Sequence, residues 1–410
     1  MINSGCIIKV PGKLMIVGEY AVLEPGYQAV VVAVNRYVTA EIKPAFVNEL
    51  SLPQLGLERI TWNFDDKGVE FYPKKDRLSL VRNAMSTAFL YLKEKEIMLH
   101  PFQLHIKSDL NDPMTGKKYG LGSSAAIVVA VIASILSFHG EYNEVCEFNK
   151  EGTFNKDETL IKDETLNKEE ALIKDGTLNK DGAPIKEEAL MKLFKLSAIA
   201  HVKTQGNGSG ADIAAVVYGG WVKYSTFKAK WLLTELEKES NITKLLEMAW
   251  PDLVIGKLSP PEELKLLVGW TKESVRTSRM VKKIESFQNE NMEYYQNFLT
   301  ESFTSVVSLI DAFEKEDVNK AKEALYKNRM ALLGLGERAG VKIETKRIKS
   351  LCTIADKFGR GKSSGAGGDC GIAFTHGEEK VQELWFEWKE ANILPLDILV
   401  APKGCTVLRI

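Results

Sequence analysis

The residues best suited to chemistry are Gly120-Leu-Gly-Ser-Ser-Ala-Ala126, which run straight into the apolar segment Ile127–Ile132. Glycines let a backbone close on a ligand where a Cβ would collide. A helix starting at the serines would aim its free N–H groups and positive dipole end at an anion such as a nucleotide phosphate. Backbone groups of Gly120, Leu121, Gly122, Ser123, Ser124 and Ala125 are therefore the candidate phosphate contacts. The hydroxyls of Ser123 and Ser124 sit where an oxygen could meet phosphate or Mg²⁺. Two familiar nucleotide loops are excluded. A dinucleotide fingerprint needs a strand ending at its first glycine, and here the predicted strand Phe102–Lys107 is followed by a polar loop. A Walker loop needs a Lys-Ser/Thr pair that does not follow these glycines.

Two further glycine segments carry hydroxyls or charges. One is Pro11-Gly-Lys-Leu-Met-Ile-Val-Gly-Glu-Tyr-Ala-Val-Leu-Glu-Pro-Gly26, with a cation and an acid beside a turn. The other is Lys362-Ser-Ser-Gly-Ala-Gly-Gly-Asp-Cys-Gly-Ile-Ala-Phe374. In this order the three resemble the signature motifs of the GHMP small-molecule kinases, which include galactose, homoserine and mevalonate kinases. The resemblance implies an α+β, two-domain fold: an N-terminal domain like ribosomal protein S5 domain 2, a C-terminal ferredoxin-like α/β sandwich, and an active site between them. The boundary is expected at 228/229, giving an ATP-binding domain over 1–228 and a second domain over 229–410. Finer strings, Lys117-Lys-Tyr-Gly-Leu-Gly-Ser-Ser124, Gln205-Gly-Asn-Gly-Ser-Gly-Ala-Asp-Ile-Ala214 and Val268-Gly-Trp-Thr271, are most similar to members acting on mevalonate 5-phosphate.

The resemblance also implies ATP- and Mg²⁺-dependent transfer to that acceptor. Lys13 and Asp212 match the family's catalytic lysine and aspartate. The loop Ser364, Gly365, Ala366 and Gly367 would close on substrate, with Glu19, Tyr20, Ser209 and Gly210 beside it; Ser363 is a weaker candidate. A dianionic acceptor needs cations besides Lys13, and Lys117, Lys118, Arg276 and Arg279 are the candidates, with Lys117 and Lys118 equally able to serve the ATP phosphates. One departure stands out: His201 occupies the place where alcohol kinases of the family carry a metal-binding glutamate. A magnesium ion would then rely on nucleotide oxygens, a serine hydroxyl and water. The alternatives are transfer to mevalonate itself, a non-catalytic binder of the same fold, and a scaffold that engages a partner protein.

Composition sets the remaining bounds. A chain of 410 residues exceeds what one core usually supports. A formal charge of −1 gives no general attraction to nucleic acid or acidic membranes, so an anionic substrate must be held by a local cluster of cations; a small-molecule partner is what the resemblance implies. Five cysteines, odd in number and scattered, suit a reducing cytoplasm. The longest apolar stretch, Ala125–Phe138, is too short to span a bilayer. Residues 149–190 divide into hexads with lysine second and an apolar residue or Pro184 last; Lys150–Leu190 carries 7 Lys and 11 Asp/Glu. A six-residue period advances about 240° on a helix and so builds no continuous apolar stripe. The segment reads as a low-complexity insertion, expected to be mobile and solvent-exposed.

Around it, helices are predicted over Leu78–Lys93, Ser124–Phe138, Ala189–Thr204, Ala211–Val217, Ser274–Gln288, Asn291–Glu314, Asp317–Gly336 and Glu344–Phe358. Strands are predicted at Gly5–Val10, Gln28–Val38, Phe102–Lys107, Trp221–Thr226 and Leu264–Trp270, with Gly371–Phe374 and Ile398–Ala401 completing a second sheet.

Overall fold

The computed structural model describes residues 4–65, 67–74, 76–142, 185–206, 208–238, 241–273 and 277–410. The hexad segment lies outside the described residues as far as 184; its last six residues open a helix.

Valine-rich, β-branched runs make the first sheet. Among the described residues it has nine strands: β1 (Cys6–Val17), β2 (Gln28–Pro44), β3 (Glu49–Leu52), β4 (Leu57–Asp65), β5 (Gly68–Tyr72), β6 (Phe102–Ser108), β7 (Trp221–Ser225), β8 (Val254–Leu258) and the C-terminal β13 (Thr406–Arg409). The main path is β13-β1-β2-β6-β3-β4-β5, with β7 on β2 and β8 on β7. Every pairing is antiparallel except β3 with β6. The second sheet orders as β10 (Arg360–Ser363), β11 (Cys370–Thr375), β9 (Lys265–Trp270) and β12 (Leu394–Leu396), all antiparallel.

The sheets do not divide the chain at residue 228. Both β8 and β13 return to the first sheet from beyond that point. The stretch predicted as a strand at Ile398–Ala401 is also placed differently. Val400 bridges Val34 of β2, and the second sheet takes β12 as its edge instead.

Helices α1 (Ser79–Glu94), α2 (Ser123–Phe138), α3 (Ile185–Gln205) and α4 (Ala211–Tyr218) pack together and against the first sheet. Helix α2 is apolar on nearly every side, so it is buried on nearly every side, and the glycines before it bring its N-terminus against Lys13 of β1. Short helices α5 (Ala229–Lys238) and α6 (Ile242–Glu247) follow β7. Then α7 (Thr277–Glu290), α8 (Met292–Glu314) and α9 (Val318–Arg338) form a layer with their own cluster, in which Met280, Ile284, Phe298 and Leu332 meet Tyr20 and Ala21 from the end of β1. Helices α10 (Lys346–Ala355) and α11 (Glu378–Glu390) cover the second sheet through Leu351, Leu384 and Trp388. Thr345 caps α10 by accepting from Ile348 N at 3.3 Å.

Candidate active site

Register with β2 slips at Pro11/Gly12, a bulge that re-aims the next side chain, Lys13. Gly12 is required there because a Cβ would lie 2.8 Å from Leu110 Cδ2 and 3.0 Å from the Leu121 carbonyl oxygen. Lys13 N donates to that carbonyl at 3.0 Å, tying β1 to the loop before α2. The lysine stem then crosses Gly122, where a Cβ would sit 2.8 Å from Lys13 Cγ and Cε. Its Nζ reaches Asp212 Oδ1 at 2.8 Å; the lysine side chain is 8% exposed and the aspartate 43%. A buried stem thus presents a cation to a carboxylate that stays partly open to solvent.

Asp212 owes its place to the turn before α4. Gly210 has φ +80°, and a Cβ on it would lie 2.7 Å from the Tyr224 hydroxyl. The Ser209 carbonyl accepts from Tyr224 and, at 2.7 Å, from Thr226, while the Ser209 hydroxyl accepts from Ala211 N at 3.3 Å. His201 on α3 backs this turn, its ring 3.2 Å from where a Cβ of Gly208 would be. Burial holds the imidazole pKa below its ordinary value, against the opposing charge of Asp212.

In the second motif Gly120 and Gly122 have φ of +83° and +75°, and α2 begins at Ser123, within one residue of the predicted start. The Ser123 and Ser124 hydroxyls are half-buried and take no partner among the described residues. Lys117 and Lys118 are exposed, and Lys117 Nζ donates to the Lys272 carbonyl at 3.4 Å. Tyr119 packs edge-on against Trp270 at 4.8 Å, and its carbonyl faces Cys370 Sγ at 2.7 Å, which brings the second sheet up to this loop.

The third motif docks on the other two. A Cβ on Gly120 would lie 2.9 Å from Asp369 Cβ. Ser364 Oγ donates to the Met15 carbonyl at 2.9 Å and accepts from Met15 N at 3.1 Å. Tyr20 donates to the Ala366 carbonyl at 2.9 Å. Lys362, fully buried, donates to Glu19 Oε1, which also accepts from Gly365 N at 3.3 Å. Thr271 closes the loop from behind, donating to the Gly368 and Asp369 carbonyls at 2.9 Å each.

The expected site residues fare unequally. Lys13 and Asp212 meet against Gly122 of the phosphate turn, and the third loop reaches the same region through Ser364 on Met15 and Asp369 against Gly120, whereas Leu121, Ala125 and Gly210 are buried. Glu19 and Tyr20 are buried too, 1% and 4% exposed, and their polar atoms hold the third loop. Ser363 is buried as well, and Ser364 uses its hydroxyl on β1. Arg276 lies outside the described residues, as does the side chain of Arg279. Lys362, Thr271 and Cys370 carry no signal of a role in the sequence. Lys362 stands inside the third motif, but nothing in the spacing reveals that its partner is 343 residues away.

A cavity of about 710 Å³ lies among α7, α8 and α9, lined by Phe287, Tyr294, Phe298 and Arg338, and touches none of these groups. A smaller one of about 160 Å³ adjoins the site between Gly208, Thr226, Ile284 and Glu24. Gln288 Nε2 and the Tyr295 hydroxyl fix Glu24 there, at 2.9 and 3.2 Å.

Comparisons with known proteins point to one family. The profile of the GHMP kinases N terminal domain matches residues 80–152, and that of the GHMP kinases C terminal matches residues 309–394. A phosphomevalonate kinase from Streptomyces sp. (strain CL190) is 27% identical over 409 residues, 96% of each chain. The crystal structure of Lin0012 from Listeria innocua superposes with a TM-score of 0.80 at 34% identity, covering 98% of this chain and 99% of that one. Streptococcus pneumoniae phosphomevalonate kinase, solved with phosphomevalonate and AMPPNP, gives a TM-score of 0.74 at 29% identity over 96% and 99%.

Proposed function

This chain belongs to the GHMP kinase family, and from that premise we propose that it transfers the γ-phosphoryl group of ATP to mevalonate 5-phosphate, giving mevalonate 5-diphosphate and ADP. The observation that carries the reading is the Lys13–Asp212 pair, 2.8 Å apart and seated against Gly122 of the phosphate-binding turn. The Streptococcus pneumoniae relative, bound to phosphomevalonate and AMPPNP, supports the same pair of ligands here.

Phosphoryl transfer asks a protein to align two anions and neutralise charge, with little covalent help. Amides of Gly120 to Ala125 at the α2 N-terminus would hold the ATP phosphates, and Lys13 would stabilise the oxygens between donor and acceptor. The acceptor is a phosphate monoester with a second pKa of about 6, hence mostly dianionic at neutral pH. Asp212 therefore orients Lys13 and the acceptor and has no proton to remove.

The residues present fit a magnesium ion held mainly by the nucleotide. Among the described residues no group of three or more His, Cys, Asp or Glu could cage a metal, whereas the Ser123 and Ser124 hydroxyls stand free at the phosphate turn. When bound, the ion would neutralise charge on the nucleotide phosphates. No helix among the described residues is long and apolar enough to cross a membrane. A cytoplasmic location is part of the proposal, supported by four buried free cysteines, Cys6, Cys352, Cys370 and Cys405.

The test is coupled ADP release with ATP and Mg²⁺, comparing mevalonate with mevalonate 5-phosphate. Turnover with the phosphate alone is the expected result. Turnover with mevalonate would reassign the acceptor, and activity with neither would leave a binder.

A further inference from the structure

The transfer reaction uses Lys13 and Asp212 but leaves unexplained the most deeply buried charges among the described residues, Glu19 and Lys362. Their side chains are 1% and 0% exposed and in direct contact. Burial pushes the Glu19 carboxyl up and the Lys362 ammonium down, and each opposes that shift in the other. Removing two charges from water is costly, so such a pair is poor evidence for stability; a well-packed apolar pair often serves as well. The stabilisation is also incomplete, because Glu19 Oε2 is buried without a hydrogen-bond partner among the described residues. A costly arrangement at this spot calls for a different reason.

Its location supplies one. Glu19 follows β1, six residues after Lys13; Lys362 sits in β10 at the entrance to the third glycine loop. One carboxylate oxygen receives both the lysine and Gly365 N, so it holds a charge from the strand and an amide from the loop. On one side Ser364 is latched to Met15, and on the other Tyr20, at φ +60°, reaches the Ala366 carbonyl. These contacts all join the two sheets. Glycines at 365, 367 and 368 give the loop little stiffness of its own.

We propose that the Glu19–Lys362 pair positions residues 364–367 against the end of β1 that carries Lys13, the partner of Asp212, and that turnover depends on this positioning. The proposal rests on the transfer reaction stated above. Neither residue touches the reacting atoms; both act through the loop.

The double variant Glu19→Gln/Lys362→Met keeps the volume of the pair and removes its charge, and Glu19→Gln alone keeps an acceptor for Gly365 N. For each, kcat and KM with mevalonate 5-phosphate, AMPPNP affinity by calorimetry, thermal midpoint, and amide exchange over 363–370 are measured on the full chain. The double variant is expected to melt within about 3 °C of the parent. It should bind AMPPNP within about threefold, lose at least about tenfold in kcat and exchange faster over 363–370. A folded double variant with kcat within about twofold of the parent, or with unchanged exchange, overturns the proposal. If the double variant does not fold, the same two readings on Glu19→Gln decide. A parent inert toward mevalonate 5-phosphate would instead overturn the functional reading, and the exchange and AMPPNP arms would still judge the pair.

Discussion

Lys13 and Asp212 divide one task, and their substitution should separate the parts. Lys13→Met removes the cation facing the transferring group, so kcat should fall about 100- to 1000-fold with ATP affinity nearly intact. Asp212→Asn keeps a polar group beside Lys13. If the acceptor arrives already ionised, its loss should stay below the factor of about 100 at which general-base removal begins. The pH profile discriminates further: with no base to titrate, both parent and variant should follow the acceptor's own second ionisation at about pH 6. An acid limb present in the parent and absent from Asp212→Asn would assign proton removal to Asp212. His201 yields a stability prediction. Its folded pKa is depressed by burial, so its contribution is complete above the unfolded value of about 6.5 and is lost as pH falls through the folded value. His201→Gln should therefore flatten the fall in thermal midpoint between about pH 7 and 5, measured against the parent. An equal fall in both would show that His201 does not carry it.

Among the elements, those tied to a single strong local signal are legible in the sequence. Helix α2 begins at Ser123, one residue before the predicted start, because Gly-Leu-Gly followed by an unbroken apolar run leaves few alternatives. The same turn permits a sharp prediction. Gly122→Ala would place a methyl on a residue at φ +75°, a conformation costing about 1–2 kcal/mol, and 2.8 Å from the Lys13 stem. Calorimetry should report lower stability, and kinetics should report a larger loss in kcat than stability alone explains, since Lys13 must move. Elements with mixed signals are not legible. Helix α11 escapes prediction because Trp385 and Phe386 blur its stripe: Phe386 is 65% exposed while Leu384 and Trp388 are fully buried. The Ile398–Ala401 stretch has strand composition, but composition does not choose a sheet, and Val34 captures it. Glu19 and Lys362 are hidden for a related reason. Each is an ordinary charged residue until the fold removes its water.

For the whole molecule the decisive fact is that chain order and sheet membership disagree. A two-domain reading with a boundary at 228/229 implies that 1–228 contains what its sheet needs. In the structure that sheet also takes β8 on β7 and β13 on β1, with Cys6 opposite Arg409 and Ser225 opposite Val254. The return of the C-terminus is tightly built: a Cβ on Gly404 would meet the Val217 carbonyl oxygen at 2.1 Å, and Cys405 and Val407 are buried in the same core as β1 and β2. Without those strands the outer edges of β1 and β7 would expose unpaired backbone and apolar side chains, the condition for edge aggregation. A fragment of residues 1–228 is therefore expected to aggregate or to remain partly unfolded, as judged by size-exclusion chromatography and amide exchange. Adding residues 229–410 during refolding should restore both the sheet and ADP release. The hexads make the opposite case, since their period builds no continuous apolar stripe and α3 buries Leu193, Phe194 and Ile199 from its own sequence. Replacing 149–184 by a glycine-serine linker of about twelve residues should leave kcat and KM within about twofold. A monomeric 1–228 fragment, fully protected from amide exchange, would show that the two returning strands are dispensable and that the sheet is complete within the first half of the chain.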